Sequence, residues 1–140
     1  MVIVDTGFWL ALANRNDSYH QKAVTVLANI NEPLITTCSV VTETCYLLLK
    51  TMGNHAQVSF INNLFIGGFT VFDLQPHNGQ RICELMEKYA DLPMDLADAS
   101  LVVLAENLGH GRILSIDFRD FNTYRWKNHH PFENLMVLDG

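Results

Sequence analysis

The sequence predicts an α/β protein: an open, mostly parallel sheet of four to five strands with helices on both faces. Three observations predict it. Short, β-branched apolar runs alternate along the chain with longer segments of helical character. Their order is β-α-α-β-α-α-β-α-α-β-(α)-β, the pattern of parallel strands joined by helical crossovers. The length of 140 residues suits one domain, 1–140, and 49% hydrophobic with 17% charged residues marks a globular chain.

The elements follow in order. "MVIVD" is the apolar run expected of a strand buried on both faces. "FWLALAN" after Gly7 reads as a short helix, and "DSYHQKAVTVLANI" as a second, capped by Asp17 or Ser18. "PLITT" is a strand. "SVVTETCYLLLKTMG" opens on a serine cap and stops at Gly53. "NHAQVSFINNLFIGG" is a helix capped by Asn54 and ended by Gly67 and Gly68, and "FTVFDL" is a strand. A helix starts near Pro76 and runs through "PHNGQRICELMEKYA". "LADASLVVLAENLG" is apolar nearly all round, which suits a helix enclosed by other elements, and it stops at Gly109. "RILSID" is a strand, "FRDFNTYRW" a helical turn and loop, and "NLMVLD" a final strand.

Composition narrows the functional classes. No apolar stretch reaches the ~20 residues of a membrane helix. No basic region precedes the first apolar residues, so no signal peptide is expected. Cys38, Cys45 and Cys83 form no CxxC pair, and the six histidines form no HxH or HExxH pattern. Reduced, mostly buried thiols in a cytoplasmic protein without a zinc site are expected. The net charge of −6 argues against non-specific nucleic-acid binding. Yet Arg119, Arg125 and Lys127 lie within nine positions, followed by His129 and His130, so the sum conceals a local basic strip.

In an open α/β sheet, ligands bind outside the carboxyl ends of the strands. Asp5 ends the first strand, and Asp117 ends "RILSID". Glu43 sits about a turn into the helix after "PLITT". Asp98 lies in the first turn of a helix that runs antiparallel to the strand it precedes. Four acids from four segments thus arrive at one rim. Each has an ordinary role open to it: Asp95 as an N-cap, Asp98 as a macrodipole partner, Asp5 as a turn residue, Glu43 as a solvated side chain, Asp117 and Asp120 as loop residues. Together they are less ordinary, because clustered carboxylates repel unless a cation is present. No lysine or arginine adjoins Asp5, Glu43 or Asp98, and Arg119 alone cannot balance four acids. Mg²⁺ or Mn²⁺ prefers such oxygen ligands, and an open all-carboxylate site suits metal-assisted attack on a phosphodiester. Thr6 and Ser115 are placed to orient a metal-bound water.

The segments "IVDTGFWLAL", "SVVTETCYLL", "LADASLVVLAENLG" and "RILSIDFRDF" resemble, in order, the four acid-bearing segments of the PIN domain, in particular the VapC-type toxin ribonucleases of toxin–antitoxin pairs. The resemblance covers essentially the whole chain. It implies that Asp5, Glu43, Asp98 and Asp117 bind metal, with Asp95 as an extra and Asp120 structural. It also implies Mg²⁺- or Mn²⁺-dependent endonucleolytic cleavage of RNA, a homodimer, and inhibition by a small antitoxin protein. In that setting Arg119, Arg125 and Lys127 would hold phosphates while Tyr124 and Trp126 stack on unpaired bases. Surplus apolar residues around Phe8, Trp9, Leu12 and positions 40–65 would serve a dimer or antitoxin surface. The competing expectation is a non-catalytic RNA- or protein-binding module on the same fold.

Overall fold

A computed structural model of the chain describes residues 1–137. Strands β1 (Val2–Val4), β2 (Leu34–Thr37), β3 (Thr70–Phe72), β4 (Arg112–Leu114) and β7 (Glu133–Asn134) form one sheet in the order β3-β2-β1-β4-β7. Every pairing in it is parallel, with Ile3 registered between Ile35 and Ile113. β1 is only three residues long, but Val2, Ile3 and Val4 are fully buried. Each such side chain contributes ~1.5–3 kcal/mol, enough to anchor a short central strand.

The helices are α1 (Thr6–Ala13), α2 (His20–Ala28), α3 (Cys38–Met52), α4 (Asn54–Phe65), α5 (Gly79–Lys88), α6 (Leu96–Leu108) and α7 (Phe118–Thr123). From β1 the chain moves outward through β2 to β3, then returns across the sheet to β4. Right-handed crossovers therefore set α1–α4 on one face and α5–α7 on the other. The packing agrees: α1 touches α2 and α3, α3 touches α4, and α5 touches α6. The reversal of direction between β1 and β4 opens a crevice at their carboxyl ends.

As its composition predicts, α6 is enclosed, with Ala97 and every residue from Ala99 to Ala105 buried. It ends on Gly109 in the left-handed conformation, φ 80°. Its first turns meet the start of α3, where the buried hydroxyls of Thr37 and Ser100 share a 2.7 Å hydrogen bond.

Several boundaries differ from expectation. α1 begins at Thr6, capped by Asp5, not after Gly7. Tyr19 is the N-cap residue of α2, while Asp17 accepts from the Tyr19 N–H in the preceding turn. α3 starts directly from β2, so Thr37 rather than Ser39 is its cap and accepts from the Val40 N–H. Gly53 precedes α4 as its N-cap, and Asn54 is the first helical residue. The helix expected from Pro76 is a short 3₁₀ turn, Pro76–Asn78, followed by α5. The last strand lies earlier than "NLMVLD": the Glu133 and Leu135 N–H groups donate to Gly111 and Ile113 carbonyls. The end of that expected strand falls outside the described residues. An unforeseen antiparallel hairpin joins β5 (Arg125–Trp126) to β6 (His130–Pro131), with Lys127 and Asn128 at positive φ in its turn.

Candidate active site

Asp5 and Asp117 flank the crevice at the carboxyl ends of β1 and β4, and Asp98 and Glu43 lie within electrostatic reach of them. Asp5, the last residue before α1, is buried. One carboxylate oxygen accepts the Thr6 N–H at 2.7 Å, and the other accepts the Ser115 hydroxyl at 3.0 Å. The same Ser115 oxygen accepts the Asp117 N–H at 2.9 Å, so one hydroxyl ties the ends of β1 and β4 together. Asp117 caps α7 through the Asp120 N–H. Asp98, half-buried in the first turn of α6, accepts the Tyr124 hydroxyl at 2.8 Å. Glu43 is half-buried on α3 and lines a groove of about 540 Å³ with Ser39, Thr42, Tyr46, Asp95, Leu96 and Ala97.

Electrostatics joins these positions. Burial pushes the Asp5 carboxyl up to about 7, against the hydrogen bonds from Thr6 and Ser115, and the charges of Asp117 and Glu43 push it further. Burial pushes Asp98 up to about 8. The charge of Asp95 adds to this, the Tyr124 hydroxyl opposes it, and Asp5 and Asp117 add again. Asp117 is also raised, by burial and by the neighbouring Asp120, with Arg119 acting the other way. Asp5 therefore feels Glu43 and Asp117, and Asp98 feels Asp5 and Asp117. Among the described residues, no lysine, arginine or amino terminus forms an ion pair with any of the four acids.

The acids share a rim but not a closed cage: among the described residues, no three acidic, histidine or cysteine side chains are drawn tightly enough together to hold an ion. Each is engaged with its own hydrogen-bond donors. The donor set is nonetheless the chemistry a hard divalent cation takes, being all oxygen, mutually repelling and without a basic partner.

Other expected site residues fare differently. Asp95 is the N-cap of α6, accepting the Asp98 N–H at 2.8 Å, and its side chain is exposed. Asp120 is buried and paired with Arg119 at 3.1 Å. Thr6 Oγ1 is buried without a hydrogen-bond partner. The buried Ser115 hydroxyl donates to Asp5 and accepts from Asp117, which leaves it no proton to donate to a water.

The basic strip does not form one surface at the rim. Arg119 stays near the acids, donating to Asp120 and to the Leu92 carbonyl. Arg125 turns one nitrogen back onto the carbonyls of Asn122, Thr123 and Tyr124. Tyr124 is fully buried, so it cannot stack on a base. The Lys127 N–H donates to Glu106, two turns beyond Asp98 and toward the far end of α6. At 1.5 Å per residue that is ~12 Å along the axis, away from the rim. Trp126 lies against Gly111, and its ring stacks on His130.

One contact was invisible in the sequence. Tyr124 reaches Asp98 from 26 residues away. No local pattern marks that pairing, since it depends on where α7 ends.

Fold and site together define an α/β protein with an acid-lined crevice at the sheet's switch point. The PIN domain family model matches residues 2–126, and the chain belongs to the PIN domain family. Ribonuclease VapC26 of Mycobacterium tuberculosis (strain ATCC 25618 / H37Rv) is 26% identical over 124 residues, 89% of this chain and 92% of that protein. The crystal structure of Mycobacterium tuberculosis VapC20, a sarcin–ricin loop cleaving toxin, is similar with a TM-score of 0.76. It is 22% identical and covers 84% of this chain and 91% of its own, a likeness of fold.

Proposed function

We propose that this chain is a VapC-type ribonuclease: an endonuclease that uses Mg²⁺ or Mn²⁺ to hydrolyse phosphodiester bonds in single-stranded RNA, acting as the toxin of a toxin–antitoxin pair. The observation that carries this reading is that Asp117 raises the pKa of both Asp5 and Asp98 beside the switch-point crevice, while among the described residues no ion pair neutralises any of the three.

Asp5, Glu43, Asp98 and Asp117 are the residues that would hold the ion. A bound divalent ion supplies a water of lowered pKa and positive charge against the charge developing on the phosphate. The protein's own part is orientation. Thr6 and Ser115 fix both oxygens of Asp5, and the Asp120 N–H fixes Asp117. To hold such an ion, Asp5 and Asp98 would have to be deprotonated. Thr6 Oγ1, buried and without a hydrogen-bond partner, remains to bond a buried water. Arg119, exposed and bonded to Asp120, would meet an RNA phosphate.

The reading extends to partners and place. Trp9, Leu12, Met52, Phe60 and Ile66 help to line an apolar groove of about 570 Å³ beside α4, and Phe65 and Ile66 are about 80% exposed. That surface supports docking of a small antitoxin protein, with a second copy of the chain completing a homodimer. The three cysteines are free, in keeping with a cytoplasmic enzyme, but they are not mostly buried as expected: Cys38 and Cys83 are exposed, and only Cys45 is half-buried.

The deciding experiment incubates the purified protein with mixed RNA and Mn²⁺ beside an Asp5→Asn variant. Cleavage by the wild type alone, abolished by chelation, is the expected result. Equal cleavage by both, or cleavage that survives chelation, removes the proposal. RNA binding without cleavage would identify a binding module instead.

A further inference from the structure

The Tyr124 side chain sits in a place that packing alone does not explain. Its ring is fully buried, edge-on to Tyr89 at 5.0 Å and to Phe121 at 5.2 Å. A phenylalanine would fill that volume equally well. A buried phenol brings a polar group that needs a partner, and this one finds a carboxylate, Asp98 Oδ2, at 2.8 Å.

The backbone aims it. Tyr124 ends α7, leaving the helix at φ −60°, ψ 146°, with its N–H still bonded to the Asp120 carbonyl at 2.9 Å. The next residue is pinned too, its N–H donating to the Tyr89 hydroxyl at 3.0 Å. The ring is thus held by a helix end on one side and by two aromatic edges on the others. The same short helix begins on Asp117. One element therefore carries an acid of the rim at its start and the clasp of another at its finish.

Asp98 has few other restraints. Its backbone N–H belongs to Asp95, and among the described residues Tyr124 is the only side-chain donor to its carboxylate. Without that donor, its rotamer would be set by repulsion from Asp5, Asp95 and Asp117. A donor on Oδ2 leaves Oδ1 as the oxygen free for a ligand.

We propose that Tyr124 is a positioning residue that holds Asp98 by its phenolic hydroxyl, so that one carboxylate oxygen faces the crevice to receive a divalent cation. This rests on the nuclease reading above. Partners of this kind set ligand orientation, and their loss typically costs ~10–100-fold in metal affinity.

The test measures Mn²⁺ binding by calorimetry and RNA cleavage for the wild type, Tyr124→Phe, Asp98→Asn and the double variant, with thermal melts in chelator as the fold control. Tyr124→Phe keeps the ring and should stay folded, melting a few degrees lower for the lost hydrogen bond. It should bind Mn²⁺ ~10-fold more weakly or worse, with cleavage partly recovered at high Mn²⁺ and KM for RNA little changed. If Tyr124 acts through Asp98, adding Tyr124→Phe to Asp98→Asn should weaken Mn²⁺ binding no further. Wild-type Mn²⁺ affinity in Tyr124→Phe, or losses that simply add in the double variant, overturns the positioning role and leaves the nuclease reading standing. A wild type that neither binds Mn²⁺ nor cleaves RNA overturns both.

Discussion

Ser115 shows how a single hydroxyl can organise a site. Its position two residues before Asp117 was legible in the sequence, but its task was not. It donates to Asp5, 110 residues away, and receives the Asp117 N–H, so it acts directly on the acids themselves. Ser115→Ala removes both bonds at a fully buried position. The expected cost is ~1–2 kcal/mol of stability, since the Asp117 N–H loses its partner. Cleavage should fall on the order of 10-fold or more, because Asp5 loses one of its two orienting donors. Thermal melts and initial rates on one RNA check the pair of effects. Unchanged rates would show that Thr6 alone suffices to place Asp5. Tyr124 escaped sequence reading for a similar reason: hydrogen bonds between distant residues are set by where helices end, and residue type does not encode that.

At the level of elements, the sequence was most informative where burial dominates. β1 and α6 were plain, because a continuous apolar run has few other places to go. Errors collected at junctions. β2 runs straight into α3, so the cap moved from Ser39 back to Thr37. The β5–β6 hairpin carries Arg-Trp and His-Pro, which show no apolar alternation, and its partner contacts come from Gly111 and Glu106 instead. The start of α6 separates two roles that the sequence left entangled. Asp95 caps the helix, and its charge also burdens Asp98. Asp95→Ala should cost ~1 kcal/mol through the lost cap. Asp95→Asn keeps the cap and removes the charge, so it should melt at or above the wild type. Both variants should still cleave RNA, whereas Asp98→Asn should not. Denaturant melts with parallel cleavage assays check this, and an inactive Asp95→Asn would move Asp95 into the metal-holding set.

For the whole molecule, the placing of Asp5 and Asp117 at the switch point could be foreseen because it needs only strand order: the chain reverses direction between β1 and β4, and these two acids stand at the carboxyl ends. The depth of the acids' burial could not, since it depends on how α1 and α6 close over the crevice, and that depth sets a measurable pH response. In the unfolded chain an aspartate titrates near 3.8, so above pH 6 neither Asp5 nor Asp98 holds a proton there. In the fold they hold theirs until about 7 and about 8. The native state then binds more protons than the unfolded state, so stability falls as pH rises through this range. His110 works oppositely below about pH 6.5, its pKa lowered by burial, the amino terminus and Arg112, so the clean window is pH 6.5–8. In chelator, the melting temperature should drop across that window. Asp5→Asn removes one of the two titrations, so its curve should be flatter and should lie above the wild type at pH 8. Mn²⁺ binds the deprotonated acids, so the stabilisation it gives should grow over the same interval. Melts with and without Mn²⁺ at several pH values decide it. A wild-type melting temperature that rises with pH in chelator, or a Mn²⁺ increment independent of pH, would mean that the crevice acids are already ionised in the fold.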